Sequence, residues 1–407
     1  MKASGLIVEY NPFHYGHLYH YQMSKEASNA DVTIAVMSGN FLQRGEPAIM
    51  DKWHRAQLAL LSGIDIVVEL PYVFAVQNSD LFAKGAVLTL DALQVDSICF
   101  GSEQGSISPF IDAYYKQKQQ HHKYNHTLQA YLQQGYSYPE ASKMAYASIG
   151  LTTGKIDLSK PNNILGFSYV KSILEHDLSI TPLTIQRKQA NYHDEEIEHT
   201  IASATSIRKA IFNTNSLEDK VQHSLPDTAV EQLKRYKNTT GVWHEWESYF
   251  PLLQYIVTVQ SPSELRSIHG MEEGLEHRLQ QTVLEATSFT EWMHMLKTKR
   301  YTWTRLQRVI THLFTNTKKD DVELLSDLDT IPYVRLLGMT KAGRDYIHHI
   351  KKDTDTPLLT KLHKMDHPFL TIEEKAMDSY YTILTPPIKK QVRKREFHPP
   401  LLPDLEL

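Results

Sequence analysis

Apolar residues along this chain recur in two rhythms. Short unbroken runs alternate with longer stretches in which apolar positions return every three or four residues. The first rhythm reads as buried strands and the second as amphipathic helices. Leu6-Ile7-Val8, between Gly5 and Asn11-Pro12, is the first predicted strand. Residues 16–28 read as a helix, and 32–37 as a second strand closed by Ser38-Gly39. Residues 52–62 follow as a helix whose stop is Gly63. A strand over 64–70, a helix over 80–93 and a strand over 97–100 complete the series. Strands alternating with helices of this length predict an α/β fold, with a parallel sheet covered on both faces. Ligands bind at the carboxyl ends of such strands. Residues 11–17, 38–45 and 101–103 all follow strands directly and should gather at one edge.

Beyond residue 106 the rhythm changes. Residues 107–150, rich in Gln, Tyr and His, read as a helical insertion or cap, and 180–187 as a late strand. From about residue 216 the pattern is mainly helical. Within it Leu306, Val309, Ile310, Leu313 and Phe314 share one helical face, while Arg305, Arg308 and His312 share another. This divides the chain into a catalytic region, 1–215, and a mainly helical C-terminal region, 216–407. The tail from His398-Pro399-Pro400 onward is expected to be extended or poorly ordered.

A length of 407 residues exceeds one ordinary core, so two or three domains are expected. With 41% hydrophobic and 22% charged residues the composition is that of a soluble globular protein. No run approaches the ~20 apolar residues of a spanning helix, and the first residues lack a signal-peptide core. Cys99 stands alone, which suits a reducing compartment. A cytoplasmic protein with no membrane partner is therefore expected. The net charge of -4 does not point to nucleic acid, but the cations are unevenly placed. Between residues 297 and 319 lie Lys297, Lys299, Arg300, Arg305, Arg308, Lys318 and Lys319, with no Asp or Glu. Lys389, Lys390, Arg393, Lys394 and Arg395 form a second run. Such runs serve RNA phosphates or simply form a solvated face, and the interleaved Tyr301 and Trp303 suit base stacking or helix packing equally.

Candidate chemistry begins at His14-Tyr15-Gly16-His17. A strand end, a tight turn and a helix start bring backbone N–H groups and two imidazoles together. Gly16 leaves room for a phosphate, and the helix N-terminus favours negative charge. Both histidines can donate to one phosphate group. Displacement at phosphorus needs mainly this kind of positioning and charge stabilisation. Two surface histidines at a turn are the plain alternative. Ser203-Ala204-Thr205-Ser206-Ile207-Arg208, before a predicted helix over 207–212, is either an anion cradle or an ordinary cap with a solvated arginine.

Taken together, these two segments resemble the HxGH nucleotidyltransferase superfamily. Longer strings narrow the likeness: Gly5 through His14, Met37-Ser-Gly-Asn-Phe-Leu-Gln-Arg-Gly-Glu-Pro-Ala48, Phe100-Gly-Ser-Glu103 and Pro161-Asn-Asn-Ile-Leu-Gly166. They are similar to the bacterial tRNA(Met) cytidine acetate ligase family, and so are Lys299-Arg-Tyr-Thr302 and Val334-Arg-Leu-Leu-Gly338. The resemblance implies a Rossmann-like HxGH nucleotidyltransferase domain with a parallel sheet, followed by a helical tRNA-binding region. It implies ATP as substrate, with Mg2+ as companion, and acetate and elongator tRNA(Met) as the other partners. The product would be N4-acetylcytidine at the wobble position. His14, His17 and Arg208 would be catalytic. Ile7, Val8, Glu9, Tyr10, Asn11, Pro12, Phe13, His14, Tyr15, Gly16, His17, Leu18, Tyr19 and His20 would line the ATP site, with Gly101, Asn162, Arg187, Ser203, Thr205 and Ser206. Arg187 has an alternative in pairing with Glu195 or Glu196, Asn162 in capping its helix, and Gly101 in serving as a turn glycine. Asn40 and Arg44, near Asp51 and Lys52, are candidates for acetate, and Arg44 reads equally as a structural ion pair. Lys297, Lys299, Arg300, Arg305 and Arg308 would face tRNA. No cluster of acidic metal ligands is visible. The competing readings are a nucleotidyltransferase acting on a phosphorylated cofactor precursor and a tRNA-binding protein with a vestigial nucleotide site.

Overall fold

A computed structural model describes residues 1–187, 202–362 and 365–403. Its centre is a seven-stranded sheet in the order β5-β4-β1-β2-β3-β6-β7. The strands are β1 (Ala3–Val8), β2 (Val32–Ser38), β3 (Ile66–Leu70), β4 (Ser97–Ser102), β5 (Thr181–Gln186), β6 (Val334–Met339) and β7 (Leu358–Leu359). β5, β4, β1, β2 and β3 are parallel, β6 runs antiparallel to β3, and β7 runs parallel to β6. Because β1 pairs with β2 on one side and β4 on the other, the winding reverses at β1. A crevice opens at such a switch point, outside the carboxyl ends of the strands.

Period-two alternation builds the two layers. On β2, Ile34 and Val36 enter one core while Ala35 and Met37 enter the other. Helices α1 (Tyr15–Ser28) and α2 (Lys52–Leu61) cover the second face, along with α9 (Ala204–Thr214) and the helix Asp227–Thr240. The short α3 (Tyr72–Ala75), then α4 (Ser79–Asp91) and α8 (Pro161–Glu175), cover the first. Between β4 and α8 stand α5 (Ser108–Gln119), α6 (His121–Gln133) and α7 (Tyr138–Ser148). Among the described residues no helix is long and apolar enough to cross a membrane.

The C-terminal region is helical except at two places the hydrophobic pattern does not reveal. β6 and β7 extend the sheet past β3, so the sheet itself crosses residue 215. Arg335 interrupts the apolar run of β6, yet it is buried against Glu69 at 3.0 Å and against Glu396. Lys52 completes this group, 2.7 Å from Glu69 and 3.2 Å from Glu396. The tail is extended but docked. Leu401 is fully buried, its N–H donates to Leu337 O at 2.7 Å, and its carbonyl accepts from Met339 at 2.9 Å.

Candidate active site

The turn after β1 is shaped by backbone before side chains. Tyr10 takes a left-handed φ of 52°, and the Asn11-Pro12 peptide is cis. The chain then enters α1 with His14 as its N-cap. His14 Nδ1 accepts from Gly16 N–H at 2.9 Å, and His17 Nδ1 accepts from His14 N–H at 3.3 Å. With both Nδ1 atoms accepting, each neutral ring carries its proton on Nε2 and presents a donor. The two rings lie 3.9 Å apart with a 31° tilt. Burial, then Arg187 and Arg208, hold His14 down at about 3. Burial, the adjacent His14 and Arg187 hold His17 well below its usual range. His20, bonded to Cys99 O at 3.2 Å, is held at about 4, chiefly by burial. The first turn of α1 contains no acidic residue, so its dipole is open to an anion.

These residues face a cleft of about 320 Å³. Of the signature segment, Ile7, Val8, Glu9, Asn11, His14, Gly16, His17, Tyr19 and His20 line it. Tyr10 and Phe13 instead turn into the core of the α1–α2 layer, and Leu18 packs against that core. Pro12 and Tyr15 are also outside the lining. Phe82, Phe100, Leu165, Tyr169 and Ile185 supply an apolar wall; Phe100 and Leu165 stand inside the family-like strings, but none of the five was expected at the site. They carry no polar signature and come from four elements, α4, β4, α8 and β5, with Leu165 and Tyr169 both on α8.

The far wall is an interlocked polar group. Glu103 accepts from Asn162 N–H at 3.2 Å, Asn162 Nδ2 at 2.8 Å and Asn163 N–H at 2.7 Å. Asn162 Oδ1 accepts from Arg187 Nη1 at 2.9 Å. Gly101 lies within β4, and a Cβ there would come within 3.1 Å of the Arg187 side chain. Its small size therefore lets that arginine cross the strand. Glu195 and Glu196 lie outside the described residues.

From the opposite side comes α9. Ser203 caps it, and Ser203, Thr205 and Arg208 line the cleft. Ser206 is buried and donates to Ser203 O at 2.8 Å, so its hydroxyl serves the cap. Arg208 donates to Asn11 O and to Glu46, each at 2.8 Å, which ties the late motif to the early one.

The loop after β2 divides in role. Arg44 lines the cleft beside Gln43 and Glu46. Asn40 does not; its Oδ1 accepts from Lys52 N–H at 2.8 Å at the start of α2. Asp51 caps the same helix through His54 N–H at 2.9 Å, and Lys52 belongs to the buried ion group. Arg55, absent from any motif, is fully buried beneath the loop. It donates to the carbonyls of Glu9 at 2.7 Å, Ser38 at 3.0 Å and Met50 at 3.2 Å, and to that of Gly39. One guanidinium thus joins the ends of β1 and β2.

Of the basic stretch, Lys297, Lys299 and Arg300 are exposed. Arg300 and Arg305 both pair with Glu272, which is distant in sequence. Arg308 is half-buried, and burial with Arg305 and Arg44 lowers it to about 10. The ring of Tyr301 is buried, and Trp303 packs edge-on to His294.

A family model described as HIGH Nucleotidyl Transferase matches residues 1–396. A tRNA(Met) cytidine acetate ligase of Oceanobacillus iheyensis is 51% identical over 403 residues, 99% of this chain and 100% of the relative. The enzyme of that name from Bacillus subtilis is 46% identical over 405 residues, 98% and 97% of the two chains. The chain belongs to this family of HIGH nucleotidyl transferases. A solved family structure, Thermotoga maritima TmcAL bound with alpha-thio ATP, superposes with a TM-score of 0.88. It is 33% identical and covers 99% of each chain. The apo form of that protein gives 0.90 at 34% identity, covering 99% of this chain and 100% of that one.

Proposed function

We propose that this chain is an ATP-dependent acetate ligase that forms acetyl-adenylate and acetylates N4 of the wobble cytidine of elongator tRNA(Met). The observation that carries the reading is the pair of Nε2–H imidazoles at the open N-terminus of α1, facing Arg208 of α9 across one cleft. Full-length relatedness to ligases of that name supports the choice of substrates.

In the first step a carboxylate oxygen of acetate attacks the α-phosphorus of ATP, and the bond to the β-phosphate oxygen breaks. Acetyl-adenylate forms and pyrophosphate leaves. His14, His17 and Gly16 donate to the phosphates, while Thr205 and Arg208 approach the leaving group. Asn162 and Arg187 hold the nucleoside end against the apolar wall. Arg44 and Gln43 receive the acetate, because a small carboxylate needs a cation and an amide donor. Next, the cytidine N4 attacks the acetyl carbonyl; AMP departs with the electron pair and N4 loses a proton. An exocyclic amine on an aromatic ring is a weak nucleophile, which is why a mixed anhydride is needed. Positioning supplies much of the acceleration.

Magnesium would arrive on the triphosphate, where it neutralises charge. Among the described residues no three His, Cys, Asp or Glu side chains group to hold a metal. The carboxylates at the cleft, Glu9 and Glu46, already accept from Gln43 N–H and Arg208. This donor set fits a metal carried by phosphate oxygens.

The test is pyrophosphate exchange into ATP with and without acetate, followed by acetyl transfer to tRNA. Exchange that requires acetate and transfer to one tRNA are expected; exchange indifferent to acetate overturns the ligase reading. Replacing His17 with alanine should lower exchange by about 10²–10³-fold, the usual cost of one oxyanion donor.

A further inference from the structure

Helices α5 to α7 take no part in the chemistry above, and their composition is lopsided. Residues 108–148 contain four lysines and three histidines against two acidic residues, Asp112 and Glu140. At the turn between α6 and α7, the ammonium of Lys299 sits 3.8 Å from the centre of the Tyr136 ring. That ring meets Tyr131 edge-on at 5.2 Å. Lys299 belongs to the basic stretch of the C-terminal region, so two cation-rich segments far apart in sequence converge at this turn. Two residues on, Tyr138 leaves 48% of its surface exposed. Lys299 and Arg300 are exposed as well, Arg300 in its ion pair with Glu272.

Burial of part of the ring, then Tyr124 and Asp80, push the Tyr138 phenol upward, so it stays neutral beside α4. Asp80, in the first turn of α4, accepts from Ser168 at 2.9 Å and Lys171 at 3.2 Å on α8. Phe82, also on α4, lines the cleft itself. An exposed aromatic ring on the turn that also meets a lysine of the basic stretch suits an unstacked base and a neighbouring phosphate.

We propose that the α6–α7 turn is a contact surface for single-stranded RNA, formed by Tyr138 and by Tyr136 with Lys299. A base of the anticodon arm stacks on Tyr138, while Lys299 holds an adjacent phosphate. This inference rests on tRNA as the acetyl acceptor. RNA is favoured over an acidic protein segment because the latter would use the cations and leave the aromatic face without a function.

The experiment measures the Kd of the full-length chain for an elongator tRNA(Met) transcript at one fixed salt concentration. Acetate-dependent pyrophosphate exchange, which uses no RNA, runs in parallel as a check on folding. Tyr138→Ala should weaken RNA binding by about five- to a hundredfold, the range for loss of one stacked base. Tyr138→Trp should retain binding to within about twofold, since it keeps a stacking face. Lys299→Ala should weaken binding several-fold while exchange continues. A Tyr138→Ala variant that binds RNA as tightly as the parent overturns this proposal and leaves the ligase reading standing. Equal losses in Tyr138→Ala and Tyr138→Trp also overturn it, because stacking would then not be the contact. A parent chain that shows acetate-dependent exchange but binds no tRNA overturns both the surface and its assigned acceptor.

Discussion

At the scale of single residues, the cleft separates phosphate from nucleoside by the company each helix N-terminus keeps. α1 begins with neutral histidines and no acid, whereas α8 begins against the Glu103 carboxylate. A carboxylate on two N–H groups quenches the positive end of α8, so the triphosphate is directed to α1 and α9. Glu103 then acts through Asn162, whose carbonyl oxygen receives Arg187. Replacing Glu103 with alanine frees Asn162 and lets Arg187 turn. The expected outcome is a KM for ATP about tenfold higher with kcat little changed, the signature of lost uniform binding. Steady-state exchange kinetics check it, with Arg187→Ala as reference. If Arg187→Ala raises KM and Glu103→Ala does not, the relay is wrong. Glu103 stands where the sequence places the binding edge, but its role, like that of Arg55, is not legible there for a physical reason. His14-x-Gly16-His17 is legible because its parts are adjacent and its chemistry is local. Arg55 and Glu103 act on backbone groups brought to them by folding, and a lone Arg in a helix or Glu after a strand has the same appearance on any surface.

At the scale of elements, the loop after β2 is held between the sheet and the helix Trp303–Phe314. Gly45 is the contact point, with a φ of 75°. A Cβ there would lie 2.4 Å from the Arg308 backbone nitrogen. Its carbonyl accepts from Trp246 Nε1 at 2.8 Å and Thr311 Oγ1 at 2.9 Å. Gly45→Ala therefore adds both a left-handed strain and a collision with backbone that has no way to yield. A loss on the order of 3 kcal/mol is expected, together with displacement of Gln43, Arg44 and Glu46 from the cleft. Denaturant unfolding and the KM for acetate measure the two effects; an unchanged midpoint would show that the helix is not anchored there. The alternation of β1 to β4 with their helices is plain in the sequence because each element satisfies its own period. β6 is not. Arg335 reads as an interruption until Glu69 and Glu396 are placed beside it from either side, and those partners lie far away along the chain. The basic stretch is half-legible for the same reason: its cations are visible, while Glu272, which pairs with Arg300 and Arg305, is not local.

For the whole molecule, buried imidazoles make stability depend on pH. His14 and His244 are both held at about 3 and His20 at about 4, while His17 and His312 lie well below their usual range, burial being the largest cause in each case. They are spread over the cleft, the Tyr236–Tyr249 junction and the α3 contact with Tyr72. In the unfolded chain these groups bind protons below about pH 6.5. The folded chain does not, so the unfolded state holds more protons and stability falls as pH drops through that value. By pH 5, His14 and His244 each account for roughly 2 kcal/mol. Glu9 and Glu373 oppose this. Burial raises both, so the stability they contribute is present below the ordinary carboxylate range and declines as pH rises above it. Asp51 and Glu69, both lowered to about 2, add a loss only below about pH 4. Burial likewise lowers His269, to about 4, and His367, and raises Asp91 and Glu245. Between pH 7 and 5 these imidazoles outweigh the raised carboxyls, and Tm should fall by several degrees or more, measured by calorimetry in matched ionic strength. Saturating ATP analogue sharpens the test. Phosphate beside His14 and His17 favours their charged forms, so the acid-induced fall should be smaller with nucleotide bound than without. A fall of equal size in both states would mean that the proton-linked histidines are those of the distant core and that the cleft pair does not meet phosphate. A Tm that is flat or rises from pH 7 to 5 would show that the buried carboxyls outweigh the imidazoles.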